Sequence, residues 1–214
     1  MDKIDTTHVA QGSTAQDAGF YKKEFEEIFA SNIKREGADK LLEYIRGSDF
    51  YTAPASTRFH SNFAGGLLEH SVKVYKRFKT MVKSEFGEDY MKKEGVAESL
   101  AIIGLLHDVC KIGYYKSDFR NVKENGVWLQ KPVFIHDDPL PYGHGEKSVY
   151  MLSAYMRLTR EEAMAINWHM GPFDDRVRGG NFSTLGKAFQ MYPLALLFHS
   201  ADMLTSYLDE RIIK

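Results

Sequence analysis

The stretch ESLAIIGLLHDVC, residues 98–110, is apolar on every side until it ends in His107 and Asp108. A helix without a polar face belongs in a core, so this one delivers an imidazole and a carboxylate into the interior. An ionised carboxylate in that position needs a cation or several hydrogen-bond donors around it. The rest of the chain therefore has to bring partners inward. Four other segments carry suitable side chains: GGLLEHS with His70, GHGEKS with His144, NWHMG with His169 and HSADM with Asp202. The spacings along the series are 37, 36, 25 and 33 residues, which places each ligand group on its own helix or helix end. A helical bundle can aim such a set at one interior point.

The remaining pattern fits an all-α domain with one hairpin. Residues 1–19 are polar and read as a flexible tail. Two helices follow, at about Phe20 to Lys34 (Phe20, Phe25, Ile28 and Phe29 on one stripe) and Ala38 to about Arg46. They should pack on a main domain over 51–214. Ser48 to Asn62 reads as a loop. A long helix should open at Gly65-Gly66 and end near Phe86, with Leu67, Val74, Phe78 and Met81 inward, His70 at the edge of that face and a basic stripe of Lys73, Lys76, Arg77, Lys79 and Lys83 in solvent. The apolar helix runs from Val96 to about Cys110. Asn125-Gly126 marks a two-residue hairpin turn within about 115–135. Helices are expected over Gly145 to Met156, from the Thr159/Glu162 capping box through Trp168, and from about Tyr192 to Leu208. GPFDDRVRGGN, with Arg176 and Arg178, reads as a loop.

Composition bounds the partners. A net charge of -1, from 28 basic and 29 acidic side chains, argues against a broad electrostatic footprint for nucleic acid, while leaving room for a local basic patch. Cys110 is the only cysteine, so no intramolecular disulfide forms and a reducing, cytoplasmic setting is expected. No apolar run approaches the roughly 20 residues of a membrane helix, and the first residues do not resemble a signal peptide.

Four imidazoles and two carboxylates can hold two transition-metal ions and leave positions for water and substrate. Two divalent ions bring four positive charges and two aspartates remove two, leaving a site that favours phosphate. Imidazole with carboxylate suits manganese, iron, cobalt, nickel or zinc better than magnesium.

The order His70, His107-Asp108, His144, His169, Asp202 resembles the HD-domain superfamily of metal-dependent phosphohydrolases, in its six-ligand, two-metal form. GGLLEHS and LLHDVCK resemble its first two motifs. HSNFAGGLLEH is similar to the matching segment of HD-type exoribonucleases and relaxase-associated HD domains, where an extra histidine, here His60, stands ten residues before the first ligand. The resemblance covers about Tyr51 to Leu208. It implies that Asp108 bridges two ions, with His70, His107 and Asp202 completing one site and His144 and His169 the other. It also implies that Lys111 contacts substrate phosphate or the metal-bound water, making Asp108 and Lys111 the catalytic pair. The GYP signature of cyclic-di-GMP phosphodiesterases is missing, and the extended motifs of alarmone hydrolases find no match.

Around the ligands, Lys147, Arg58 and His60 are candidate substrate contacts. Glu146 is a candidate for orienting an imidazole, and His199 lies one helical turn from Asp202. Tyr114, Tyr115, Trp128 and Tyr142 either stack a base or fill the space beneath the hairpin. The expected activity is hydrolysis of a phosphate ester or phosphodiester in a nucleotide or short oligonucleotide. Two other readings share the ligand set: a mixed-valent di-iron oxygenase and a non-catalytic nucleotide-binding module.

Overall fold

The computed structural model describes residues 15–57, 61–124 and 126–210. The described residues are mostly helical, with a single two-stranded antiparallel hairpin. Arg58 and His60 lie outside them.

Helix α1, Ala15–Asn32, begins five residues before the expected Phe20, which is itself exposed. Phe25 and Phe29 are its buried anchors, and α2, Ala38–Gly47, buries Ala38, Leu41 and Ile45 against the same core. Helix α3, Gly66–Met91, turns at Gly87 (φ 80°), one residue past the expected end, because only glycine adopts that backbone without strain. His70 is buried, not at the edge of the face, together with Leu67, Ser71, Val74 and Phe78. Four of the five basic residues behind them are ion-paired, Lys73 with Glu69, Lys76 with Glu24, Arg77 with Asp209 and Lys83 with Glu88, while Lys79 lies over the Tyr75 ring.

Helix α4, Val96–Leu106, is the buried axis of the core, with every residue from Leu100 to Leu106 inaccessible. It crosses α3 where Gly104 presses on Tyr75. A Cβ at Gly104 would sit 2.8 Å from the Tyr75 backbone, so only glycine permits this approach. The helix stops at Leu106, four residues before the expected Cys110. His107 and Asp108 occupy the turn, and a 3₁₀ turn spans Val109–Lys111.

Strands β1, Tyr115–Glu124, and β2, Val127–His136, pair with Glu124 opposite Val127, so Asn125-Gly126 is the connection expected from sequence. The hairpin packs on the helices only at its base, where Tyr115 is partly buried against the core and donates its hydroxyl to the Ala55 carbonyl. Phe119 and Trp128 are each 66% exposed, which overturns the expectation that Trp128 fills the space beneath it.

Helix α5, His144–Ser153, packs on α6, Arg160–Asn167, through Gly145, where a Cβ would fall 2.3 Å from the Asn167 carbonyl oxygen. Both halves of the Thr159/Glu162 capping box form. The segment read as a loop contains a short helix α7, Asp175–Arg178, followed by α8, Phe182–Met191, which no sequence signal had marked. Leu185 and Ala188 of α8 join Trp168 and Val177 in a small second cluster. Helix α9, Pro193–Leu204, ends in a π-helical turn, Thr205–Asp209. No described helix is long and apolar enough to cross a membrane.

Candidate metal centre

The six expected ligands converge. His70 comes from α3, His107 and Asp108 from the end of α4, His144 from the first residue of α5, His169 from just after α6, and Asp202 from α9. Asp108 is the hub. Its Oδ2 lies 3.4 Å from His107 Nε2 and 3.9 Å from His70 Nε2, while Oδ1 lies 2.8 Å from His144 Nε2 and 3.5 Å from His169 Nε2. Asp202 Oδ1 stands 3.3 Å from His70 Nε2. The two carboxylate oxygens of Asp108 thus face two different pairs of imidazoles.

The ring orientations have local causes. His107 Nδ1 donates to the Gly104 carbonyl (3.1 Å) and His169 Nδ1 to the Ile166 carbonyl (2.7 Å), each three residues back at the end of its helix. His70 Nδ1 faces Glu210 Oε2 at 2.9 Å. With Nδ1 engaged, the Nε2 atoms are left to point inward. His107 Nε2 is buried with no hydrogen-bond partner among the described residues.

A buried nitrogen lone pair without a donor, beside two carboxylates, is what a cation would satisfy. Ligand atoms about 2.1 Å from one ion stand roughly 3.0–3.4 Å apart for right-angle to tetrahedral placement. Most separations above fall in or near that range. Three groups of donors could each hold an ion: His70, His107 and Asp202; His107, Asp108 and His169; and Asp108, Cys110 and His144. The grouping differs in one respect from the implied partition, because His169 stands with His107 and Asp108 while His144 stands with Asp108 and Cys110.

Electrostatics divide the imidazoles into two kinds. Burial would raise the Asp108 carboxyl, but Lys111, His107 and His144 together hold it well below its ordinary range. Burial opposes ionisation of Asp202 too, and His70 outweighs it, so this carboxyl is also lowered. Burial lowers His107 and His144, which favours neutral imidazoles with lone pairs to donate. His70 runs the other way. Burial pulls it down, yet Glu210 and Asp202 raise it to about 10. His169 is raised as well, against burial, by Asp108.

Cys110 was not among the expected site residues. Its Sγ lies 3.4 Å from His144 Nδ1, and burial pushes the thiol up to about 12.

Lys111 reaches Asp108 Oδ2 at 2.5 Å, though not along a continued α-helix. The 3₁₀ turn supplies the contact, because residues three apart eclipse each other there. Lys147 is buried, bonded to Asp138 and set over the Tyr114 ring. Glu146 pairs with Arg176 and, among the described residues, orients no imidazole. Arg176 is held by Asp174 on two atoms and lies 4.1 Å from the Trp168 ring centroid, so this residue is a strut within the segment. His199 supports the site from behind, its Nδ1 bonded to the His169 carbonyl at 2.7 Å. Tyr142 is exposed and stacks on Tyr150.

Glu210 is the functional candidate that the sequence did not reveal. The cluster reaches solvent through His144, 30% exposed at the side chain, and Asp202 at 14%. No family model matches this chain, nor does any curated protein or solved structure.

Proposed function

We propose that the chain is a metal-dependent phosphohydrolase of the HD type, acting on a phosphate ester or phosphodiester of a nucleotide or short nucleic acid. The observation that carries this reading is the position of Asp108, whose two oxygens each face a separate pair of imidazoles. One carboxylate between two donor sets suits two divalent ions held side by side. The motif order His70, His107-Asp108, His144, His169, Asp202 supports the same class.

When bound, the ions would polarise a phosphoryl oxygen and lower the pKa of an adjacent water. The chain's own residues do the rest. His70, His107, Asp108 and Asp202 would hold one ion; His144 and His169, with the other oxygen of Asp108, would hold the second. Lys111 keeps an ammonium at the rim of the Asp108 carboxylate, where it adds positive charge to the place a phosphoryl oxygen would occupy. The apolar wall formed by Phe198, packed on the rings of His107 and His169, keeps the inner donors dry. A dry wall strengthens every charge interaction in front of it.

The test is elemental analysis of the purified protein, then a panel of nucleotides and bis-(p-nitrophenyl) phosphate with the metals found. About two ions per chain and metal-dependent release of nitrophenol or phosphate are expected. Turnover that requires both iron and oxygen would move the assignment to a di-iron oxygenase. Nucleotide binding without turnover, unaffected by changing His107 and Asp108 to Ala, would make the chain a binding module.

A further inference from the structure

His70 is gripped from both sides by one short segment. Asp202 on α9 faces its Nε2 at 3.3 Å, and Glu210, eight residues later, faces its Nδ1 at 2.9 Å. Eight residues of straight α-helix advance about 12 Å, too far for two carboxylates to meet across one ring. The π-helical turn Thr205–Asp209 closes that distance. Thr205 anchors it to the Ala201 carbonyl at 2.8 Å and accepts the Glu210 amide at 3.1 Å. Arg77 of α3 then clasps both oxygens of Asp209, at 2.6 and 2.7 Å, tying the turn to the helix that carries His70. The result separates neighbouring acids: the Asp209 side chain is 36% exposed and that of Glu210 only 1%.

We propose that Glu210 is a positioning residue for metal binding: it accepts the Nδ1 proton of His70 and so keeps the Nε2 lone pair aimed at the ion shared with His107, Asp108 and Asp202. A carboxylate behind a ligating imidazole fixes its tautomer and ring orientation and increases its basicity as a donor. His107 and His169 have backbone carbonyls in that position and His144 the Cys110 sulfur, so among the described residues it is His70 that a carboxylate backs at Nδ1. The segment 202–210 therefore supplies one carboxylate in front of His70 and one behind it. This proposal rests on the cluster being a metal centre, and its test separates the two.

Metal-stripped protein is titrated with Mn²⁺ in a calorimeter, with H70A and H144A assigning the two binding events. E210A should weaken the His70 event by roughly 10–100-fold while the His144 event moves by less than about threefold. E210Q, which retains an oxygen acceptor, should lie nearer to wild type than E210A. E210D keeps the charge but withdraws the oxygen from Nδ1. It is the variant to read if the alanine chain does not fold, with a loss of several-fold expected in the same event. An unchanged His70 event in E210A, or in E210D where that is the variant read, overturns the positioning role while leaving the metal centre intact. So does a parallel weakening of both events that tracks a fall in Tm, because that is what a purely structural carboxylate would produce. A wild-type chain that takes up no Mn²⁺ overturns both the role and the centre.

Discussion

Two clusters of buried charge sit on opposite ends of the apolar helix α4, and they are built on opposite principles. At its start, Arg35 reaches Glu162 with two bonds of 2.8 and 2.9 Å, Glu98 at 3.0 Å and the Arg157 carbonyl at 2.9 Å. Glu162 also accepts from Ser99 at 2.6 Å and from the Thr159 amide at 2.7 Å, while Glu98 takes the Lys34 and Arg35 amides. Cation, anions and donors close on one another there. At the helix end, two carboxylates and four imidazoles surround a space in which His107 Nε2 has no hydrogen-bond partner among the described residues, and a single ammonium, Lys111, is shared with Asp108. Burying charge is therefore not a mark of function by itself. A cluster that completes itself stabilises the fold, and one that leaves an inward-facing lone pair is shaped for an ion.

The comparison can be broken most severely at Asp108. D108N should cut metal-dependent hydrolysis by roughly 10³-fold, the scale of removing one electrostatic group from a reaction centre, and lower the metal content below two per chain. Steady-state rates with bis-(p-nitrophenyl) phosphate check it; a variant that keeps wild-type turnover would remove Asp108 from the chemistry.

The closed cluster should respond in stability instead. R35M leaves the fully buried Glu162 without its cation and should cost about 3–5 kcal/mol in urea unfolding, with metal content unchanged. Replacing both partners at once, R35M with E162L, should recover only part of that loss, because Ser99 and the Thr159 amide lose their acceptor and Glu98 its cation.

Removing metal comes next in size. An ion present at 100 times its dissociation constant adds about 2.7 kcal/mol to stability, so chelation should lower the wild-type Tm by roughly 5–10 °C. In D108N the same treatment should move Tm by a much smaller amount, whereas R35M should keep the full shift. Differential scanning calorimetry with and without chelator reads all three.

The smallest effect belongs to the hairpin. Trp128 is largely exposed, so W128S should change unfolding free energy by less than about 0.5 kcal/mol and leave the metal content at its wild-type value. A larger loss would show that β1 and β2 are coupled to the core.

The candidate ligands could be picked out by different signals: His107, Asp108 and Asp202 by their apolar surroundings, His144 by its place between two glycines, and the whole set by its order along the chain. The capping box and the hairpin turn were legible because their chemistry is local: Thr159 with Glu162, and Asn125-Gly126 between alternating strands. Glu210 was not legible. Its approach to His70 depends on a π-turn and on the Arg77–Asp209 clasp, neither of which has a pattern in sequence. Arg176 lay in a segment read as a loop, yet Asp174, Glu146 and Trp168 fix it through contacts that no local pattern marks. Lys111 was named by the resemblance, and the 3₁₀ turn that brings it to Asp108 has no pattern in sequence. Helix α8 escaped because SerThr and a glycine interrupt its apolar positions, and only packing of Leu185 and Ala188 on Trp168 and Val177 decides it.

The central claim is that Asp108 stands between two cation positions, and anomalous diffraction from crystals grown with Mn²⁺ tests it most directly. The account predicts two peaks roughly 3.5–4 Å apart, one on each oxygen of Asp108, with His70, His107 and Asp202 around the first and His144 and His169 around the second. A single peak away from Asp108, or none with Lys111 still bonded to an undisturbed Asp108, would contradict it.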